Sequence, residues 1–227
     1  MRKSSLLVQS GLLLFILASV PAFSQSSVLP DAPVEANKKW SNIVEPDEKV
    51  SPLSVREKLM VPPHEELLLT SWLSTFMATG WEQLIDGNPK YGVDSGAFGQ
   101  RLGAAVIRDL SMRTFSGGML PALLHEDPRY YRMRDGPIIH RGLYAASRVF
   151  VTPRDSGSTG FNTSVVLGHG MASALTMAYY PDKSAKTSVV FQTWGWSLMG
   201  QAGGNLWDEF WPDVRDKVFR RHRNTQP

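Results

Sequence analysis

The chain of 227 residues contains no cysteine and carries a formal net charge of +3 at pH 7. The lack of cysteine excludes a disulfide framework, a thiolate nucleophile and a thiolate metal site. The nearly neutral balance singles out no charged partner, and the length suffices for one domain with a sizeable core.

Residues 1–24 show the three-part pattern of a cleavable secretory signal peptide. Arg2 and Lys3 precede an almost unbroken apolar run, and small residues precede a cleavage position before Gln25. The apolar run, about 15 residues, is shorter than the ~20 needed to span a bilayer, which disfavours an uncleaved anchor. We therefore expect export to the periplasm or cell envelope.

The rest of the chain divides into a linker, a helical domain and a tail. Residues 25–61 are rich in proline and polar side chains, so we expect a disordered linker with one short helical piece near residues 54–60. Apolar spacing predicts an all-α bundle of about five helices over residues 62–214. Some of these helices are Gly/Ala-rich and are expected to pack closely, and residues 215–227 form a basic tail. The predicted helices cover residues 63–86, 96–124, 137–151, 164–180 and 188–210.

Three of these helices separate apolar from polar side chains at helical spacing. In the third, the apolar face is predicted to be the core face. In the second, two glycines, Gly99 and Gly103, are expected to allow close approach of a neighbour. The apolar faces hold Trp72, Leu73 and Phe76 in the first helix, Ile139, Leu143 and Phe150 in the third, and Leu167, Met171 and Leu175 in the fourth. The opposite polar faces hold Arg141, Tyr144 and Arg148 in the third helix, and His169, Ser173, Thr176 and Tyr180 in the fourth.

Short blocks occur in a specific order along the chain: GQRLGAA at 99–105, LLHEDPRYYR at 123–132, SRVFVTPRDSG at 147–157, FN at 161–162, YYP at 179–181 and EFWPD at 209–213. In these blocks the chain resembles an uncharacterised family of exported bacterial proteins. The resemblance covers roughly residues 60–215. It implies export and a helical domain, and it carries no assigned activity.

Arginines and tyrosines are interleaved between residues 129 and 154, where Asp135 is the only acidic residue. Arginine without lysine suits bidentate recognition of phosphate or carboxylate. We predict an anion-binding face for anionic lipid, cell-wall polymer or an envelope protein. The alternative is a solvated helix face paired with Glu126, Asp127 and Glu209. The candidate ligand-binding residues are Arg129, Tyr130, Tyr131, Arg141, Tyr144, Arg148, Arg154, Asp155, Asn162 and His169.

Catalytic patterns are weak, and we favour a non-catalytic module without cofactor or metal. His125 begins no HExxH motif and is more typical of a helix end before Pro128. His169 and Ser173, one helical turn apart, fit either a base with its nucleophile or a buried polar network. No GxSxG motif, phosphate-binding loop or nucleic-acid motif occurs. A small periplasmic hydrolase using His125 and His169 remains the alternative.

The segments 67–81, 156–181 and 187–207 lack Asp, Glu, Lys and Arg, so membrane association is a further hypothesis. An integral envelope protein that oligomerises through its Gly-rich helices is therefore a third hypothesis. Polar residues such as Gln201 and Asn205 in the last segment favour a soluble or peripherally associated bundle instead. The basic tail either contacts anionic headgroups or is a solvated end.

Overall fold

The computed structural model describes residues 42–66 and 69–223, and the predicted signal peptide at 1–24 lies outside them. The described chain is mostly helical with only short strands, which confirms the all-α prediction. The helices are α1 (Val55–Glu66), α2 (Leu69–Leu84), α3 (Ser95–Arg113), a π-helical segment (Thr114–Met119), α4 (Leu120–Leu124), α5 (Ile138–Ser147), α6 (Thr163–Leu175), a 3-10 turn (Thr176–Ala178) and α7 (Thr187–Arg223). The strands are β1 (Ile43–Val44), β2 (Tyr130–Tyr131), β3 (Val151–Pro153) and β4 (Thr159–Phe161).

The short strands pair locally and tie loops to the helices. Strand β1 runs parallel to β2, while β3 and β4 form an antiparallel hairpin. Helix α6 is central, packing against the π-helical segment, α3 and α7. Helix α2 packs on α3, and α5 packs on α7.

Side chains at the helix starts explain two of the observed boundaries. The Asp94 carboxylate accepts a hydrogen bond from the Ala97 N–H at the start of α3. The Asn162 side chain accepts one from the Val165 N–H at the start of α6. Both satisfy a backbone donor that has no partner within its own helix. The π-helical segment contains Gly117 and Gly118.

The packed structure begins earlier than the predicted linker boundary at residue 61. Strand β1 pairs with β2, and α1 buries Lys58 and Val61. The Lys58 ammonium lies 2.7 Å from an Asp155 carboxylate oxygen. Residues 42–61 are therefore part of the fold, which composition did not reveal because long-range contacts, among them ion pairs of Glu45 and Lys58, hold a polar segment in place.

The last helix does not end near residue 210 as predicted, because α7 continues through Pro212 to Arg223. Proline has no N–H to donate to the carbonyl four residues before it. The carbonyl of Asp208 instead accepts a hydrogen bond from Arg132 Nε at 2.9 Å. The first residues of the predicted tail are consequently helical.

Close packing occurs at glycines other than those expected. A Cβ at Gly168 would lie 2.7 Å from the Ser116 backbone nitrogen, so α6 and the π-helical segment need glycine where they cross. A Cβ at Gly99 or Gly103 would meet nothing within 4 Å among the described residues. The prediction that these two glycines allow close packing is wrong within the described chain.

Helices α5 and α6 turn their polar faces toward the protein interior, although the apolar face of a helix is usually the buried one. On α5, Ile139 is 78% exposed and Arg141 only 6%. On α6, Leu167 is 50% exposed whereas Ser173 is fully buried. The prediction that the apolar side of α5 faces the core is therefore wrong.

Helix α2 repeats this arrangement. Its Phe76 is 52% exposed, and Thr79 is fully buried. The periodicity located the helix, but the side facing the protein interior is the polar one. Among the described residues, no helix combines the length and the apolar character that crossing a bilayer requires.

Candidate binding cleft

A cleft of about 460 Å³ lies between α3 and α7 and holds several of the predicted site residues. Helix α2 and the π-helical segment complete one wall, and residues of α6 line the cleft between the two sides. Its charged lining comprises four arginines and two aspartates, so the cleft carries a net positive charge. The charged residues are Arg108, Arg113, Arg129, Arg148, Asp109 and Asp208.

Most of the predicted arginine and tyrosine face is used internally. Glu209 is fully buried, and its carboxylate accepts hydrogen bonds from the Tyr130 hydroxyl at 2.9 Å and from Arg141 Nε at 2.8 Å. The backbone N–H groups of Met133 and Arg134 donate to the same carboxylate. This Glu209 cluster joins the loop before α5 to α7.

Arg141 is bonded on every side. Its Nη1 lies 2.6 Å from an Asp213 carboxylate oxygen, and its Nη2 donates to the Glu209 carbonyl at 2.9 Å. The guanidinium also lies 4.6 Å from the centre of the Phe210 ring. Arg141 therefore supports the fold, because each of its three nitrogens donates a hydrogen bond to α7.

Arg129 is similarly occupied. Its Nη2 lies 2.6 Å from an Asp127 oxygen, and the Tyr131 hydroxyl donates to that carboxylate at 2.7 Å. Burial raises the pKa of Asp127, but the Arg129 and Tyr131 hydrogen bonds outweigh it, so the pKa is lowered overall. Arg129 and Arg141 each pair with an acidic side chain, as in the alternative hypothesis. Their side chains are buried, however, and not solvated.

Glu126, one of the acids in that alternative, has a different role. Its carboxylate accepts from the backbone N–H groups of Thr163 and Ser164, at 3.2 and 2.9 Å. An anionic group there complements the N-terminal end of α6. The Asn162 side chain caps the same helix and donates to the Arg148 carbonyl at 3.0 Å.

Arg148 differs from these arginines. Its guanidinium lies 4.5 Å from the centre of the Tyr144 ring, which fixes its orientation. Its Nε is buried with no hydrogen-bond partner within the described part of the chain. No carboxylate pairs with it among those residues, and the side chain lines the cleft. Arg148 is thus the predicted arginine that lines the cleft without a carboxylate partner among the described residues.

His169 lies in the cleft as a neutral base. Ser197 donates its single hydroxyl hydrogen to the Trp194 carbonyl at 2.7 Å, so its oxygen accepts from His169 Nδ1 at 3.0 Å. The proton is therefore on Nδ1, and Nε2 presents a lone pair. Burial lowers the pKa of His169 to about 4, against the opposing charge of Asp109.

The hydrolase residues do not converge. His125 lies beside Asp155 on the surface, 3.6 Å between Nδ1 and the carboxylate, and neither lines the cleft. Ser173 Oγ is buried without a hydrogen-bond partner among the described residues, so it is not bonded to His169. Ser197 donates away from the imidazole and is not activated by it. Arg154 is exposed and packs over Gly160.

Sequence reasoning missed the α7 wall of the cleft. Ser197, Gln201 and Asn205 all line it, and Gln201 Nε2 donates to Asn205 Oδ1 at 3.1 Å. Their four-residue spacing within a segment without charges was the available signal, because it places them on one helix face. A second, more open groove of about 560 Å³ along α3 contains none of the predicted site residues.

No family model, no curated protein and no solved structure matches the chain. The resemblance to an exported bacterial family therefore stays a prediction. The contacts give three of its blocks a physical role, since Arg101, Glu126 and Glu209 each join separate chain segments.

Proposed function

We propose that the protein is an exported, non-catalytic binding module of the cell envelope that attaches to an anionic lipid surface. The observation that carries the proposal is that α5 exposes an apolar side and that the end of α7, which contacts α5 through Asp213, exposes basic and apolar side chains. Ile138, Ile139 and Leu143 are among the most exposed large apolar side chains of the described residues. Exposed apolar side chains at this density are typical of interaction surfaces.

The basic end of α7 begins where α7 contacts the opposite, inward side of α5. The ion pair between Arg141 and Asp213 joins α5 to α7 at that point. Beyond it, α7 exposes Val214 and Val218 together with Arg215 and Lys217. A helix with apolar and basic side chains suits the interface of an anionic bilayer, where each basic residue contributes about 1 kcal/mol of binding.

This arrangement favours lipid over the other candidate partners. A bilayer supplies both an apolar layer for α5 and negative charge for the end of α7. The proposed attachment is peripheral and needs no spanning helix. In this proposal the anion is contacted by the end of α7. It is not contacted by Arg129 and Arg141, which donate hydrogen bonds within the fold.

Vesicle co-sedimentation tests the proposal. We expect binding to phosphatidylglycerol vesicles, weaker binding to phosphatidylcholine vesicles, and partial release by high salt. The triple variant Ile138→Ser, Ile139→Ser, Leu143→Ser should weaken binding at least about tenfold, because it removes apolar area from the contact. Val93→Ser, which replaces one similarly exposed apolar side chain in the loop before α3, is the control.

The same samples show whether the apolar side of α5 contacts lipid or a second copy of the chain. If the triple variant changes the protein from a dimer to a monomer without altering vesicle binding, the apolar side of α5 is a self-association surface. That outcome would overturn the lipid proposal, as would equal binding of the triple variant and the control.

A further inference from the structure

We propose that the cleft binds a small hydroxylated molecule with one phosphate or carboxylate group, the anionic group resting on Arg148. This proposal goes beyond lipid attachment and does not depend on it. Arg148 is partly buried, and its buried Nε has no hydrogen-bond partner among the described residues, so a ligand that bonds the guanidinium would offset part of its desolvation. The Tyr144 ring holds the guanidinium in place, so its planar donors are available for bidentate contact.

The Arg148 end of the cleft is framed by amide groups. The Asn162 side chain donates to the Arg148 carbonyl, and Asn205 Nδ2 donates to the Ala145 carbonyl at 3.2 Å. These bonds fix the end of α5 against α6 and α7. An anion at Arg148 would thus meet a prearranged site, with little side-chain ordering left to occur on binding.

The other end of the cleft offers hydroxyl-binding groups. His169 lies seven residues after Asn162, which is about 10 Å along a helix. Its Nε2 lone pair accepts a hydrogen bond from a ligand hydroxyl, and Gln201 and Thr75 line the space beside it. A cleft of about 460 Å³ accommodates a molecule of sugar-phosphate size.

The two ends of the cleft disfavour ligands that carry no charge and ligands that consist of an anion alone. An uncharged sugar leaves Arg148 unbonded, and inorganic phosphate alone leaves the His169 end empty. A sugar phosphate satisfies both ends. The same chemistry is found in a soluble metabolite and in a phosphoglycerol lipid headgroup, so the experiment must separate these two sources.

Isothermal titration calorimetry on the purified protein tests this inference. We expect glucose 6-phosphate to bind at least about tenfold more tightly than inorganic phosphate, and glucose not to bind. Competition by dihexanoyl-phosphatidylglycerol would identify a lipid headgroup as a source of the anion, whereas no competition would indicate a soluble ligand.

Variants locate the site. Arg148→Gln should weaken glucose 6-phosphate binding at least about tenfold, because the anion loses its charged partner. Arg148→Lys keeps the charge without the planar fork, should bind with intermediate affinity, and serves as the second variant if the first fails to fold. His169→Gln should reduce the preference for glucose 6-phosphate over phosphate. Arg134→Gln, an exposed change outside the cleft, is the control.

Unchanged affinity in Arg148→Gln would overturn the inference. So would the absence of binding by either phosphate compound at concentrations up to about 10 mM. Neither result affects the vesicle experiment, whose variants lie on the outer side of α5 and not in the cleft.

Discussion

The Glu209 cluster and the Arg148 end of the cleft both combine arginine with tyrosine, but they differ in how fully their polar groups are bonded. In the Glu209 cluster, Arg141 Nε and the Tyr130 hydroxyl donate to the Glu209 carboxylate, and Arg141 Nη2 donates to the Glu209 carbonyl. Arg148 stacks on Tyr144 and leaves Nε without a partner among the described residues. The comparison shows that composition alone does not separate a supporting cluster from a binding site, whereas unfilled hydrogen-bonding capacity does.

The largest effect is expected at Glu209. Replacing it with glutamine keeps the side-chain shape but leaves the buried guanidinium of Arg141 without its main counter-charge. We expect Glu209→Gln to lower the free energy of unfolding by about 3–5 kcal/mol, measured by urea denaturation. Asp213→Asn is the matched control, because it removes the more exposed partner of the same arginine and should cost about 1 kcal/mol or less. Equal costs would show that the cluster does not support the fold as described.

His169 predicts a pH dependence of stability. Its pKa is lowered by burial from an ordinary value of 6.5 to about 4, so the unfolded chain binds the proton first as the pH falls. The contribution to stability is therefore complete above pH 6.5 and is lost between pH 6.5 and about 4, with a total on the order of 3 kcal/mol.

Thermal unfolding across that pH range measures the effect. His169→Gln should flatten the profile between these limits, because glutamine does not titrate. His125→Gln, which removes a histidine whose side chain is 77% exposed, is the matched control. A profile that His169→Gln fails to alter would mean that the imidazole is not buried in the neutral form.

The smallest effect on stability is expected at Arg148, where the effect on binding should be large. Since no carboxylate pairs with its guanidinium in the described chain, Arg148→Gln should change the free energy of unfolding by less than about 1 kcal/mol. Urea denaturation without added phosphate provides the measurement. A loss as large as that of Glu209→Gln would place Arg148 among the supporting arginines and remove the contrast.

The sequence predicted the helices well because apolar side chains recur at three- and four-residue spacing along each of them. It did not predict which face is buried. A helical period distinguishes two opposite faces of a helix. Deciding which of them is buried requires knowing which residues each face contacts. In α5 the choice is decided by Arg141 and Glu209, which are 68 residues apart in the chain.

The same limit explains the missed end of α7. Pro212 is an ordinary signal for a helix end, and the structure overrides it because Arg132 occupies the carbonyl of Asp208. In the cleft, the sequence provided Arg148, Asn162 and His169 as candidates. It did not distinguish Arg148 from Arg129, because the acid that pairs with an arginine is a tertiary contact.

Helices α2, α5 and α6 bury their polar faces and expose their apolar ones, which chemical labelling can test directly. The natural chain has no cysteine, so single cysteine variants report accessibility without interference. Labelling rates with N-ethylmaleimide, followed by mass spectrometry on the folded protein, compare the two faces of one helix at a time.

The pairs are Leu167→Cys with Ser173→Cys on α6, and Phe76→Cys with Thr79→Cys on α2. We predict rapid labelling at positions 167 and 76 and protection at 173 and 79 until denaturant is added, because the first two side chains are half exposed and the others fully buried. Protection at positions 167 and 76 with rapid labelling at positions 173 and 79 would show instead that the apolar faces of α6 and α2 are the buried ones.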